Sequence, residues 1–418
     1  MKKGVIAALI ILAACAEEKK KLDGERVSIF NAPIVAADGG GAQAGSIKLA
    51  RPIITRGWES ESRTDANIAG HLGGRQDMEP LFTASVGTSN KTSLILYPPV
   101  ADREAAYAID GDLNIAKISL ATGEKVWRNN TLSSEALLTF GALALDSDYL
   151  YAITNDAVAV KLDKASGEII WKKSYKGTLK SGAKVCNGRL MFATDADELV
   201  VLSASTGEKV FTHRSLENPF GFIKGSTPAC ADGRAVAAFS NGEVHLIDLA
   251  TGKLLWMAQA YRQSLTSINN MSDIVANPVL LSDRVIIKSY GGVMKALSLA
   301  DGSEIWSLAY GGVATPAVSN STIFDVDGDR IVRAIDAITG GVLWSLKLEG
   351  ADKAALMNPL LVNSRLIIMA GNGSAVVIDP YTGSLLKQMS FGGTIDSSPI
   401  MVWDKMVVIG DGNLIVWR

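Results

Sequence analysis

The chain has 418 residues, with 41 lysines and arginines against 43 aspartates and glutamates for a net charge of −2, and an apolar fraction of 48 %. That balance offers no basic excess to a nucleic acid, and the length suits one large repeat domain or two or three ordinary ones. Glycine is abundant at 40 residues, and beyond the N-terminus no apolar run is long enough to span a membrane.

Lys2 and Lys3 precede an apolar run over residues 5–14, small residues lead to Cys15, and Glu17, Glu18 and Lys19 begin a charged stretch. A basic start, a short apolar segment and small residues at its end are the order of a secretory signal peptide. The run has about half of the roughly 20 residues that a spanning helix needs. Leu12-Ala13-Ala14-Cys15 resembles the lipobox of bacterial lipoproteins at all four positions. The resemblance implies cleavage after residue 14 and acylation of Cys15; the alternative is a soluble periplasmic protein with a cysteine at this point. Ala16 stands where an aspartate typically marks inner-membrane retention, so the implied destination is the periplasmic side of the outer membrane.

Residues 15–45 read as a flexible tether, first charged ("EEKKK") and then small ("ADGGGAQAG"). Gly39, Gly41 and Ala44 match a dinucleotide fingerprint in spacing, but no strand precedes them and no helix follows, so that function is set aside. Residues 46–78, with Trp58 and "GHLGG", carry no repeat and are expected to lie as a leader on the side or face of the domain that follows.

A repeat occupies the rest. "AKISLATGEKVW" at residues 116–127 recurs as "VKLDKASGEIIW", "VVLSASTGEKVF", "HLIDLATGKLLW", "KALSLADGSEIW", "RAIDAITGGVLW" and "VVIDPYTGSLLK". Its glycines stand at 123, 167, 207, 252, 302, 340 and 383, each with Asp or Ser four residues before it. Four residues after them stands Trp in five units, with Phe211 and Lys387 as the exceptions. A short Asp or Ser side chain can hydrogen-bond the backbone of a turn, and Gly accepts the positive φ the turn requires. The Trp then falls at a fixed point on the next strand, where it can pack over the turn of the neighbouring repeat. A second hairpin signal precedes each unit, from Asp110-Gly111 to Asn372-Gly373, and an eighth, Asp411-Gly412, ends the chain.

Four strands per 40 to 45 residues is the sequence sign of a β-propeller. We therefore expect an all-β, eight-bladed propeller of four-stranded antiparallel blades over residues 79–418. The last unit lacks its fourth strand, and "EPLFTASVG" at residues 79–87 looks like "EIWSLAYGG" at 304–312, with Phe82 at the Trp position. Closure by this N-terminal strand is expected; seven blades and a loose end is the competing count.

The consensus resembles the PQQ-type propeller repeat named for the quinoprotein dehydrogenases. With a lipobox and a domain of this length, the chain resembles the BamB family of the outer-membrane β-barrel assembly machinery. That resemblance implies a non-enzymatic scaffold lipoprotein whose loops dock on the periplasmic POTRA region of a BamA-like barrel protein, with other assembly subunits and unfolded outer membrane proteins as further partners. One family contact loop reads Leu-x-Leu-Arg-Gly before a Pro; here it falls on "NPFGFIKGSTP", giving Phe220, Phe222, Ile223 and Lys224 as interface candidates. A second loop keeps its first aspartate as Asp273 and has Val275 in place of the second. Lysine for arginine at 224 removes a bidentate contact, so a partner carboxylate there would be held less specifically. Read without the resemblance, the same loop is an ordinary connection between blades, although aromatics are common anchors at interfaces.

Chemistry is sparse by comparison. The three histidines, His71, His213 and His245, form no metal-binding motif and no close pair in sequence. "DVDGDR" at residues 325–330 stands where the other repeats have a hairpin turn and lacks the calcium-loop order. No nucleophile elbow, P-loop or haem-attachment motif occurs, so no catalytic, cofactor or metal residue is assigned and no cofactor is expected. Cys186 and Cys230 could pair in an oxidising compartment or remain two half-buried thiols. A periplasmic PQQ-dependent oxidoreductase with calcium at the propeller centre is the alternative function.

Overall fold

Eight four-stranded antiparallel blades, one of them widened to a five-stranded sheet by a short parallel strand, make up the computed structural model, which describes residues 47–75, 78–218, 221–261, 272–349 and 354–418. Blade 1 consists of Val100–Ala101, Ala105–Ile109, Ile115–Ser119 and Lys125–Asn129. Blades 2 to 7 repeat that order over residues 141–174, 184–214, 229–259, 279–308, 317–347 and 360–390. Blade 8 takes three strands from the C-terminus, Ile400–Val402, Lys405–Gly410 and Asn413–Trp417, and its fourth from Pro80–Ser85. Phe82 lies opposite Val416 and Ser85 opposite Asn413 in that closing ladder. The domain is the eight-bladed, all-β propeller expected from the repeat, closed by the N-terminal strand. Cys15, the signal segment and the tether lie outside the described residues.

The repeat positions acquire physical roles. Gly167 has φ of 77°, and a Cβ there would stand 2.6 Å from the Trp127 ring of the preceding blade. The Trp127 indole N–H donates to the Lys164 carbonyl in the same turn at 3.2 Å. Asp163 Oδ1 accepts from the Ala165 and Ser166 amides, holding that turn. The same packing joins Trp171 to Gly207, Trp256 to Gly302, Trp306 to Gly340 and Trp344 to Gly383. Phe211 covers Gly252, and Phe82 covers Gly123, which carries the pattern across the closure. Seven of the eight junctions are thus clipped by one aromatic ring lying on one glycine, while at the junction of blades 7 and 8 Lys387 stands in the place of the ring.

Burial follows the same logic. First, second and third strands are mostly buried, as in Gly141–Leu145, whereas fourth strands alternate, as in Lys209–Arg214. One face of each outer strand meets the next blade and the other meets solvent.

The leader touches every blade. Trp58 and Ala101 exchange backbone hydrogen bonds in blade 1, and Glu59, Asp65, Ala66, Leu72 and Thr55 offer carbonyls to Leu145, Cys230, Leu280, Asn363 and Trp403. Those acceptors serve blades 2, 4, 5, 7 and 8, while Lys184 of blade 3 donates to Ser60 Oγ and the Thr64 carbonyl. The Ala50 amide donates to Ser319 Oγ of blade 6. In addition, His71–Leu72 runs parallel to Leu360–Val362. Partners at the first strands are what an irregular segment needs to satisfy its own buried backbone.

Two questions left by the sequence are resolved at the seam of blades 3 and 4. Cys186 and Cys230, on the first strands of the two blades, form a disulfide. Further out, His213 Nε2 lies 2.8 Å from His245 Nδ1. The two have no closeness in sequence, and the fold brings them together because the repeat sets the fourth strand of one blade against the third strand of the next. Burial, with His213 as neighbour, holds His245 down at about 4, and burial also pulls His213 below its ordinary value.

Candidate functional site

The segment after the outer strand of blade 3 returns to the first strand of blade 4 through residues 221–228, and its backbone is held from beneath. Asp273 Oδ2 accepts from the Phe222 amide at 2.7 Å and lies 3.5 Å from Lys180 Nζ. Lys180 also bonds Ser240 Oγ, and its carbonyl accepts from the Gly225 amide at 2.6 Å. A Cβ on Gly221 would stand 2.7 Å from both Asp273 Oδ2 and Lys180 Nζ, so glycine is what admits this close approach. Burial raises the Asp273 pKa, and the Lys180 ammonium and the Phe222 amide act against that rise.

The second support comes from the leader. Lys224 Nζ lies 2.5 Å from Glu61 Oε1 and 5.0 Å from the centre of the Tyr97 ring. Thr227 Oγ1 donates to the other Glu61 oxygen, and the Thr227 amide donates to Asn277 Oδ1 at 2.7 Å. Tyr97 closes the circuit by donating to the Lys180 carbonyl at 2.8 Å.

The five residues picked out by the resemblance therefore differ in their positions. Phe220 lies outside the described residues. Phe222 packs edge-on against Tyr290, with ring centroids 4.7 Å apart. Ile223 is 50 % exposed, whereas Asp273 is only 1 % exposed. Lys224 is half-buried and engaged with Glu61. Thus Ile223 faces outward, while the two charged residues spend their charge inside the protein. The sequence reading gave no role to Lys180, Glu61, Tyr97 or Tyr290, because each partnership spans at least one whole blade.

Exposed aliphatics stand on this side of the molecule among polar residues: Leu137 and Leu216 are 86 % and 73 % exposed, and exposed large aliphatics can mark interaction surfaces. A cleft of about 710 Å³ runs beside them, with Leu137, Phe140, Phe222 and Ile223 in its wall and Asp156, Asp195 and Glu217 among its polar residues.

Elsewhere the acidic "DVDGDR" segment is a hairpin turn, and two of its three aspartates are matched by cations within the fold. Asp327 pairs with Arg333 at 2.5 Å and Asp325 with the buried Lys288 at 2.6 Å.

Comparison with known proteins agrees with the architecture. The family described as "Outer membrane protein assembly factor BamB" matches residues 111–330 and 328–417. Proteins of that name from Burkholderia pseudomallei and Yersinia pestis are 23 % and 26 % identical over 360 and 340 residues. These alignments cover 82 % and 78 % of this chain and 88 % and 85 % of the relatives. The Escherichia coli protein of the same name is 27 % identical over 204 residues, 48 % of this chain and 50 % of its own length. Among solved structures, BamB from Moraxella catarrhalis superposes with a TM-score of 0.70 at 14 % identity, covering 82 % of this chain and all of that one. A quinohemoprotein alcohol dehydrogenase from Comamonas testosteroni gives 0.68 at 12 % identity, covering 88 % and 81 %, a likeness of fold alone.

Proposed function

The chain belongs to the family of the outer membrane protein assembly factor BamB, and from that membership we propose that it is a non-enzymatic scaffold subunit of the machinery that folds and inserts β-barrel outer membrane proteins. Its docking surface is the face that carries Phe222, Ile223, Leu137 and Leu216, and its partner is the periplasmic POTRA region of a BamA-like barrel protein. Cys15 supplies a lipid anchor that keeps the propeller at the periplasmic side of the outer membrane, with residues 15–45 as the tether.

One observation carries this reading. Residues 221–228 present Ile223 to solvent while Asp273, Lys180 and Glu61 fix the backbone from behind. A preorganised apolar anchor loses little conformational freedom on association, which is how interface contacts become affinity.

Affinity capture from detergent-solubilised envelope tests the proposal. The intact protein recovers a BamA-like barrel, and Ile223→Asp, a change at an exposed position, sharply reduces that recovery. Undiminished recovery would remove the loop from the interface. Stoichiometric uptake of PQQ with calcium, together with dye-linked alcohol oxidation, would replace the scaffold reading by the oxidoreductase one.

A further inference from the structure

A row of polar side chains lies along the seam between blades 3 and 4, partly exposed at its two ends and buried between them. Asn241 Nδ2 donates to Ser215 Oγ at 2.9 Å, and the Ser215 hydroxyl donates to Glu243 Oε2. That carboxylate stands 3.2 Å from His245 Nε2, and His245 Nδ1 stands 2.8 Å from His213 Nε2. Ser215, Glu243 and His245 are all buried. The Phe239 ring packs on His245 with centroids 5.0 Å apart.

The geometry determines the protons. A carboxylate can only accept, so His245 carries its proton on Nε2 and turns the lone pair of Nδ1 toward His213. This is the arrangement found behind metal-ligating histidines, where an outer carboxylate fixes the tautomer and raises the basicity of the inner nitrogen. Burial lowers the proton affinity of both imidazoles. Directly opposite His245 in the ladder with the outer strand stands Met257. Opposed residues of an antiparallel pair project from the same face of the sheet. Met257 is 53 % exposed while His245 is buried, so the face they share has its thioether-bearing residue on the solvent-accessible outer strand.

We propose that His213, His245 and Met257 form a copper(I) site on this seam. Imidazole with thioether is a soft donor set, which favours Cu(I) over the harder divalent ions. Bonds of about 2.0 Å to each nitrogen require the two rings to part by roughly 0.5–1 Å. His213, on the outer strand and half-buried, is free enough to make that adjustment. Its proton moves from Nε2 to Nδ1, a change of tautomer that leaves the net charge of the protein groups unchanged. Glu243 and Ser215 remain behind the site as orienting groups.

The test is titration of the acylated, disulfide-intact protein with Cu(I) in ascorbate, which spares the disulfide, against bicinchoninate as competitor. The expected result is one equivalent bound per chain, absent in His213→Ala and at least tenfold weaker in Met257→Leu, with a rise in the melting temperature only where copper binds. Met257→Leu changes an exposed side chain, so it reads the site even if His213→Ala proves unstable. Uptake equal in wild type and His213→Ala overturns the site. Binding of Zn²⁺ as tight as that of Cu(I), and indifferent to Met257, overturns the copper assignment.

Discussion

The ammonium of Lys224 and the carboxylate of Glu61 meet at 2.5 Å, and this contact ties the candidate docking loop to the leader. Glu61 is almost wholly buried, and its other oxygen is occupied by Thr227. Lys224→Glu would set two carboxylates against each other in that space. A loss of about 2–4 kcal/mol is expected, toward the lower end of values for broken buried pairs because Lys224 keeps some contact with water. Urea unfolding checks this, and an unchanged midpoint would uncouple the loop from the leader. By contrast, Ile223→Asp should change stability by no more than about 0.5 kcal/mol, since it lies on the surface.

Lys184 gives a prediction in pH. Burial lowers it from 10.5 to about 8, against the opposing pull of Asp65, Glu61 and Glu59. Between those two values the unfolded chain holds the proton and the folded one does not, so stability rises with pH across the window. Below about 8 the cost of the buried charge is fully present. The gain from pH 8 to 10.5 should be about 3 kcal/mol, at 1.4 kcal/mol per unit. Lys184→Met should flatten this part of the curve, measured as the difference in denaturant unfolding between the two proteins. The same slope in both would assign it to other groups.

The clip between blades can be dissected at Trp344, whose indole N–H donates to the Pro380 carbonyl at 2.9 Å while its ring covers Gly383. Trp344→Phe keeps a ring over the glycine and loses the hydrogen bond, at a cost of about 1 kcal/mol. Trp344→Ala loses both and should cost about 3–5 kcal/mol. Phe211 already serves in the ring-only form over Gly252, so equal losses for the two variants would mean that ring packing contributes little.

Membrane fractionation tests the anchor. Replacing Cys15 by Ala removes the proposed acylation site, and a chain held there by lipid should then appear in the soluble periplasmic fraction. A multiply acylated cysteine binds a bilayer far more firmly than a protein surface of this charge could. Persistent membrane association would place the attachment elsewhere.

The ring was legible because each blade repeats the same local demands: Asp or Ser, then Gly, then an aromatic. Even the closure could be read, since Phe82 sits at the same offset as the tryptophans. The disulfide had a signal too, as Cys186 and Cys230 stand one repeat apart, each just before a Gly-Arg pair. His213 and His245 needed a further step, the alignment of a fourth strand with the third strand of the following blade. The supports of the candidate docking loop were not legible. Lys180 finds Asp273 93 residues away, and the leader that brings Glu61 to Lys224 has no periodicity from which its path could be read.

Closure by Pro80–Ser85 also fixes the order in which the molecule can be completed. That strand is made early and its partner, Asn413–Trp417, last, so nearly the whole chain must exist before the final ladder forms. Contacts of such long range slow folding, because the chain entropy is lost before the pairing is gained. Until then both free edges can pair with any extended chain nearby.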